Sequence, residues 1–168
     1  MSRIPKLVPP AIVVGTALVT AACGSGYSKP AGASGTAPSY SAPSGQSTGA
    51  VVAVASSPLG QILVDGSGRT LYLFEADTST SSTCYGPCAQ AWPPLLTTGT
   101  PTAGTGANGA DISTTTRKDG TAEVTFHGHP LYYYVGDGKP GETTGQALNQ
   151  FGAKWYVLAP SGDKIDNG

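Results

Sequence analysis

The chain has 168 residues, with 9 Lys and Arg against 10 Asp and Glu and a formal net charge of −1. That length suits one domain with a modest core, and the charge argues against nucleic acid as a partner. The apolar stretch from Leu7 to Val19 is about 13 residues long and contains Pro9 and Pro10. It is too short and too broken for a permanent membrane-spanning helix, which needs roughly 20 residues.

The first 22 residues have the three-part form of an export signal: a basic start with Arg3 and Lys6, the apolar stretch, and small residues directly before Cys23. The junction resembles the lipobox of bacterial lipoproteins, whose cysteine receives a diacylglyceryl group before cleavage, although Thr20 stands where Leu, Val or Ile is usual. We therefore expect residues 1–22 to be removed and Cys23 to be the lipidation site. The alternative is a secreted soluble protein with a free thiol at Cys23, which an oxidising compartment disfavours.

Residues 23–49 are predicted to be a lipid-anchored linker. From Gly24 to Gly49 the sequence is almost wholly Gly, Ser, Ala, Pro and Thr, with Tyr27 and Tyr40 as its aromatic side chains. Such a segment cannot bury a core, so we expect it to be disordered, with an r.m.s. reach of roughly 25 to 30 Å as a flexible coil. This linker holds the domain away from the membrane, and O-glycosylation of its Ser and Thr side chains is an alternative role.

Residues 50–168 form the remaining domain, and this part of the chain repeats itself at an offset of 60. The match joins residues 68–77 to residues 128–137 and includes the Gly, Leu, Tyr, aromatic and Asp positions. Upstream, residues 61–65 fall opposite residues 121–125 at the same offset, and residues 65–68 and 127–130 are turn formers. Each half is therefore predicted to open with a β-hairpin, in repeat one (about residues 56–97) and in repeat two (about residues 119–160).

The strand after each predicted turn has apolar side chains on both faces. Tyr72 and Phe74 alternate with Leu71 and Leu73, and residues 131–134 repeat the pattern, so both faces need cover. We expect short helices over residues 87–91 and 144–151 to provide it, then a final strand over residues 154–158, with residues 97–109 as a connecting loop. The sequence thus predicts a β-rich α+β fold: two tandem repeats, each a hairpin followed by a short helix or loop, in one small domain.

The doubled motif resembles that of a known family. Residues 71–77 read LYLFEAD, residues 84–95 read CYGPCAQAWPPL, and residues 132–137 read YYYVGD. Over roughly residues 56–159 the chain resembles the secreted-repeat bacterial lipoproteins with a Yx(FWY)xxD motif. The resemblance implies a cell-envelope lipoprotein with no established general activity. The motif residues in this chain are Tyr72, Phe74 and Asp77 in repeat one and Tyr132, Tyr134 and Asp137 in repeat two.

Three cysteines are an awkward number for an exported protein, but lipidation of Cys23 leaves Cys84 and Cys88 as a pair. We expect a structural disulfide between them, worth about 2 kcal/mol for so small a loop. A redox-active pair is the alternative, and it needs a helix N-terminus or a cation to lower a thiol pKa. Pro87 could begin a helix there, yet no Lys, Arg or His is close in sequence.

Three further groups of side chains could carry chemistry, and each also has a structural interpretation. His127 and His129 are weak candidates for a metal pair, because they align with turn positions of repeat one. Asp77 and Asp137 end strands, where carboxylates accept turn N–H groups, and acid–base chemistry is the alternative. Core packing suits the aromatic side chains, and an exposed platform for a sugar or quinone is the alternative. These are Tyr72, Phe74, Tyr132, Tyr133, Tyr134, Trp155 and Tyr156.

No hydrolase, zinc-protease, nucleotide, dinucleotide or c-type haem motif occurs in the sequence. We therefore expect an envelope lipoprotein that is not an enzyme, has no cofactor and carries a structural or ligand-binding module. Its expected partners are the membrane, through the diacylglyceryl anchor on Cys23, and an unidentified envelope protein, glycan or small molecule. The alternative is a redox or metal-handling accessory protein that uses Cys84 and Cys88 or His127 and His129.

Overall fold

The computed structural model describes residues 49–166, all within one compact unit. The export signal, Cys23 and the linker up to residue 48 lie outside the described residues, so the predictions made for them stay predictions. Within residues 49–166, no helix has the length and apolar character needed to cross a membrane.

Short strands dominate this part of the chain, so the predicted β-rich class is confirmed. In chain order the elements are β1 (Val51–Ser57), β2 (Gly60–Asp65), β3 (Tyr72–Phe74), α1 (Pro87–Ala91), β4 (Leu96–Thr97), β5 (Thr102–Ala103), a 3₁₀ helix (Gly109–Asp111), β6 (Ile112–Thr116), β7 (Ala122–Phe126), β8 (His129–Pro130), β9 (Asn149–Gln150) and β10 (Ala153–Val157).

Each repeat opens with an antiparallel hairpin one strand earlier than the sequence predicts. In repeat one β1 pairs with β2, and in repeat two β6 pairs with β7. The prediction omits β1 and β6, since β6 reads ISTTT and lacks the apolar alternation that marks a half-buried strand. The predicted partner across the turn is reduced to a single bridge at Thr70 in repeat one and to the two-residue β8 in repeat two.

The constant offset of 60 is wrong upstream of the turns. The N–H of Leu71 binds the carbonyl of Leu63, whereas the N–H of Leu131 binds the carbonyl of Val124, so the two repeats differ by 61 residues there. The reason is the turn itself: repeat two uses the two-residue turn His127-Gly128, with φ of 47° and 84°, and repeat one uses a longer turn.

The first predicted helix is present, but the second is wrong. Pro87 begins α1, where its missing N–H costs nothing. In residues 144–151 the backbone donors bind other parts of the fold, as when Thr144 N–H binds the Asp137 carboxylate and Ala147 N–H binds the Trp155 carbonyl. Because these groups are already used, the segment forms turns and β9, which pairs with β10.

The end of each repeat pairs with the motif strand of the other repeat. Strand β10 lies antiparallel to β3, and Tyr133 N–H binds the Pro93 carbonyl at 2.8 Å in the equivalent contact. Between these two contacts Tyr72 and Tyr132 exchange backbone hydrogen bonds of 2.8 and 3.0 Å. The two repeats are therefore related by an approximate two-fold axis that passes between Tyr72 and Tyr132.

The core has two parts, one on each face of the motif strands. Leu71, Leu73 and Leu131 belong to one cluster, while Tyr72 and Tyr132 belong to the other. The alternation that predicted two apolar faces is thus confirmed, and the two faces are covered by different elements of the same domain.

Candidate functional site

The tyrosine and aspartate of the motif bind across the two-fold axis. Tyr72 Oη donates to Asp137 Oδ2 at 2.6 Å, and Tyr132 Oη donates to Asp77 Oδ2 at 2.5 Å. Burial, then the neighbouring carboxylates, raise the pKa of Tyr72 and Tyr132 well above the usual value, so both phenols stay protonated. Each repeat therefore supplies the acceptor that the other repeat's buried hydroxyl needs.

The second oxygen of each motif carboxylate holds the loop that follows it. Asp77 Oδ1 accepts from the backbone N–H and the hydroxyl of Thr83 at 2.7 and 2.6 Å. Asp137 Oδ1 accepts from the same two groups of Thr144 at 2.9 and 2.6 Å. Both carboxylates thus accept three hydrogen bonds inside the fold, which leaves about one of the roughly four lone-pair sites of each for another partner.

Four aromatic rings form a continuous stack on the axis. The ring centroids are 4.0 Å apart for Phe74 and Trp155, 4.0 Å for Trp155 and Trp92, and 4.3 Å for Trp92 and Tyr134. The aromatic position of each motif copy therefore ends the stack by covering the tryptophan of the other repeat. Stacked and edge-to-face rings contribute about 0.5–1.5 kcal/mol per pair beyond their buried area.

A buried ion pair that the sequence did not reveal supports the Tyr132 side of the site. Arg117 Nη1 lies 2.6 Å from Glu123 Oε2 and 2.7 Å from Ser82 Oγ, which in turn lies 2.6 Å from Tyr132 Oη. Burial raises the pKa of Glu123 to about 7, although Arg117 lowers it in part. With the offset of 61, Glu123 takes the place of the buried Ile62, and this exchange is the signal that could have identified it.

Cys84 and Cys88 form the expected disulfide. Cys84 is fully buried and Cys88 is 6% exposed, so neither sulfur is open to a redox partner in this state. Arg117 Nη2 donates to the Cys84 carbonyl at 2.7 Å. A cation therefore binds the backbone of Cys84, although it is 33 residues away in sequence.

The two histidines line one surface groove together with Asp77, but their other contacts differ. His127 is in the β7–β8 turn, with Nε2 at 3.3 Å from Asp111 Oδ2, while His129 begins β8 and lines a surface groove. Among residues 49–166, no group of three or more His, Cys, Asp or Glu is placed to hold a metal ion.

Two surface grooves occupy equivalent places on either side of the axis. Groove one is about 220 Å³ and groove two about 270 Å³ in volume. Groove one is lined by Arg69, Pro93, Tyr133, Tyr134, Val135 and Lys139. Groove two is lined by Leu73, Phe74, Glu75, His129, Asp163 and Lys164. Asp137 and Asp77 complete the two linings, and each groove joins the turn of one repeat to the motif strand of the other.

The side chains at equivalent positions of the two grooves differ in charge. Arg69 in groove one stands where groove two has His129, and Val135 stands where groove two has Glu75. Glu75 Oε1 is 2.6 Å from Lys164 Nζ, so the lysine of groove two is already paired. Groove one is therefore the more basic of the two, and groove two the more acidic.

Arg69 is held in place by neighbouring side chains. Its Nε and Nη2 lie 2.8 and 2.7 Å from Asp65 Oδ2, and its guanidinium lies 3.9 Å from the centre of the Tyr133 ring. Burial alone would raise the pKa of Asp65, but the hydrogen bonds from Arg69 and Ser67 outweigh it and the pKa lies below its usual value. The sequence indicated Asp65 only as a turn former.

These features define a class of protein: a β-rich domain made of two tandem repeats that complete each other's core. The model of one protein family, described as a secreted repeat of unknown function, matches residues 53–96 and 113–159, more than half of the chain. The chain therefore belongs to this secreted-repeat family, which confirms the predicted resemblance and indicates an extracytoplasmic location. No curated protein and no solved structure gives a match. The matched segments begin inside β1 and β6, so both strands belong to the repeats.

Proposed function

We propose that the chain is a lipid-anchored envelope protein whose two-repeat domain is a non-enzymatic binding module. The family is secreted, and Cys23 follows the predicted export signal, where the sequence resembles the acylation site of lipoproteins. A diacylglyceryl group supplies two acyl chains, which is the number that stable anchoring requires.

The observation that favours binding is the duplicated groove. The motif carboxylates and the disulfide are used inside the fold, whereas both repeats leave an open groove at the same place. Grooves lined by aromatic and apolar side chains with a few fixed polar groups are the usual form of small-ligand sites.

NMR spectra of the folded, isotope-labelled mature chain test this binding function. A panel of monosaccharides, amino acids and short peptides is titrated against it, and we expect at least one class to give saturable shifts at groove residues such as Tyr134 or Phe74. A panel that shifts neither groove contradicts a binding module and leaves a structural one.

Replacement of Cys23 by Ser tests the anchor. We expect the native chain in the membrane fraction and Cys23→Ser in the medium, because the two acyl chains are lost. Cys88→Ser is the matched control, which should stay with the membrane. A Cys23→Ser chain that also stays there contradicts lipid anchoring.

The second candidate is a redox accessory protein, which the cation of Arg117 beside the Cys84 carbonyl favours. This candidate predicts two free thiols per chain after mild reduction of the folded protein. A pair that resists reduction until urea unfolds the chain argues against it. Elemental analysis of protein from its native envelope tests the metal-handling variant, which requires a bound metal at His127 or His129.

A further inference from the structure

Groove one presents a fixed cation to the solvent. The Nε and Nη2 of Arg69 contact Asp65, and a further side-chain hydrogen bond joins Arg69 to Tyr133. The side chain is 56% exposed although it is held at both Asp65 and Tyr133. A guanidinium that is already immobilised loses little freedom when it binds a carboxylate, which it can do in a planar, directional way.

The other charges of groove one reinforce this donor character. Lys139 lies on the lining and is exposed. The carboxylate of Asp137 also lies on the lining, but it already accepts one hydrogen bond from Tyr72 and two from Thr144. The groove therefore offers hydrogen-bond donors to a ligand and has a single carboxylate whose acceptor capacity is largely used.

The remaining wall of groove one is apolar and aromatic. Val135 is 61% exposed, and it lies beside the ring of Tyr134 and the ring of Pro93 on the lining. Gly136 allows this arrangement, because a Cβ there would lie 2.4 Å from the Tyr134 ring. Such a wall suits the C–H face of a sugar ring, and the volume of about 220 Å³ limits the occupant to roughly one ring.

We propose that groove one binds a sugar ring that carries a carboxylate. The carboxylate meets Arg69 and Lys139, and the ring lies against Tyr134 and Val135. The inference rests on the proposed binding function and adds the class of ligand. Groove two is the internal contrast, since its lysine is paired with Glu75 and its lining also carries Asp77 and Asp163.

Three probes separate the parts of this recognition in NMR titrations of the mature chain. Glucuronate has both ring and carboxylate, glucose has the ring, and acetate has the carboxylate. We expect glucuronate to shift the signals of groove-one residues and to bind at least tenfold more tightly than either control. Its affinity should decrease as salt screens the charges. Equal binding of acetate shows an adventitious anion only, and equal binding of glucose shows a neutral-sugar site; both overturn the inference, but the second leaves the binding module intact. If none of the three probes shifts any groove-one signal, the inference is also overturned.

Matched variants test the residues. Arg69→Gln should weaken glucuronate binding about tenfold, the effect expected when one charge-assisted hydrogen bond is lost. His129→Gln, the equivalent change in groove two, should leave the affinity within twofold. Lys139→Gln keeps the contacts of Arg69 to Asp65 and should weaken binding severalfold, so the test does not depend on the fold around Arg69. Unchanged affinity in both Arg69→Gln and Lys139→Gln contradicts the inference.

Discussion

At the scale of single residues, the motif supplies hydrogen-bond acceptors to two buried tyrosine hydroxyls. Tyr132 is fully buried and Asp77 is 5% exposed, while Asp137 is only half-buried. Removing one member of a buried hydrogen bond leaves the other without a partner, which costs more than the bond itself contributes. The two copies of the motif therefore have the same geometry but unequal importance.

Replacement of Tyr132 by Phe should lower the free energy of unfolding by about 1–3 kcal/mol, because the buried Asp77 carboxylate loses a donor. Tyr72→Phe should cost less, about 1 kcal/mol, since water can reach Asp137. Urea denaturation measures both values. Tyr85→Phe is the control at a half-buried hydroxyl. Equal losses for Tyr72→Phe and Tyr132→Phe contradict the dependence on burial.

Glu123 gives the domain a pH dependence. Its pKa rises from 4.5 to about 7 on folding, chiefly through burial, so the folded state binds this proton more tightly than the unfolded state. The resulting stability is complete below about pH 4.5 and is lost as the pH rises through about 7. We therefore expect the unfolding free energy of the native chain, minus that of Glu123→Gln, to decrease as the pH rises from about 4.5 to about 7.

Urea denaturation of both chains in small pH steps measures this difference. Asp65 does not interfere, because its pKa is lowered from 3.8 and it titrates below the window. A difference that rises with pH would show instead that Arg117 keeps the Glu123 carboxylate ionised.

Sequence reasoning located the motif residues but not their partners. Asp77 and Asp137 could be assigned to turns because that interaction is local, with Thr83 six and Thr144 seven residues away. The crossed bonds join residues 55 and 65 positions apart, and no local pattern encodes such a distance. Arg117 and Glu123 were missed because the predicted offset was 60 and the true offset there is 61. The wrong offset hid the replacement of the apolar Ile62 by the charged Glu123.

At the scale of elements, the two repeats differ most where one forms α1 and the other forms turns and β9. Both segments deliver a tryptophan to the same stack. In repeat two the close approach of Gly145 to Trp92 replaces the disulfide-closed helix, and a Cβ on Gly145 would lie 2.7 Å from the Trp92 ring. Periodicity predicted the two apolar faces of the motif strands correctly because alternation is local. It could not predict that residues 144–151 contact β10 and the aromatic stack instead of forming a helix.

Replacement of Gly145 by Ala should destabilise the fold by about 1–3 kcal/mol, since the added methyl group meets a ring that is packed on both faces. Gly109→Ala is the matched control, because its Cβ would meet only Ala103 at 3.7 Å. Denaturation midpoints and the near-ultraviolet circular dichroism of the tryptophans report the effect. Equal stability of the two variants would show that Trp92 can move aside.

At the scale of the whole molecule, neither repeat can complete its own core. Leu63 N–H binds the Leu158 carbonyl at 3.0 Å, and Val124 N–H binds the Leu95 carbonyl at 2.9 Å, so the opening hairpin of each repeat pairs with the end of the other. The repetition was readable from the sequence. The pairing of each repeat with the end of the other could not be predicted from the sequence, because a repeat that pairs within itself has the same sequence pattern.

A chain cut between Ala107 and Asn108 should therefore give two fragments that fold only together. We expect residues 49–107 and 108–166 to lack the near-ultraviolet signal of stacked tryptophans when separate, and to regain it as a one-to-one complex on mixing. Titration by circular dichroism and sedimentation measures the assembly. Tyr132→Phe in the second fragment should weaken the complex, and cooperative unfolding of either fragment alone contradicts the prediction.

The crossed arrangement is also the arrangement that two identical single-repeat chains would adopt as a symmetric dimer. Such a dimer must carry the same side chains in both of its grooves, so any change in one is copied into the other. Joining the halves in one polypeptide removes that constraint. Only the joined form allows Arg69 in one groove and His129 in the other. One small domain thus keeps a single architecture while its two grooves carry different side chains.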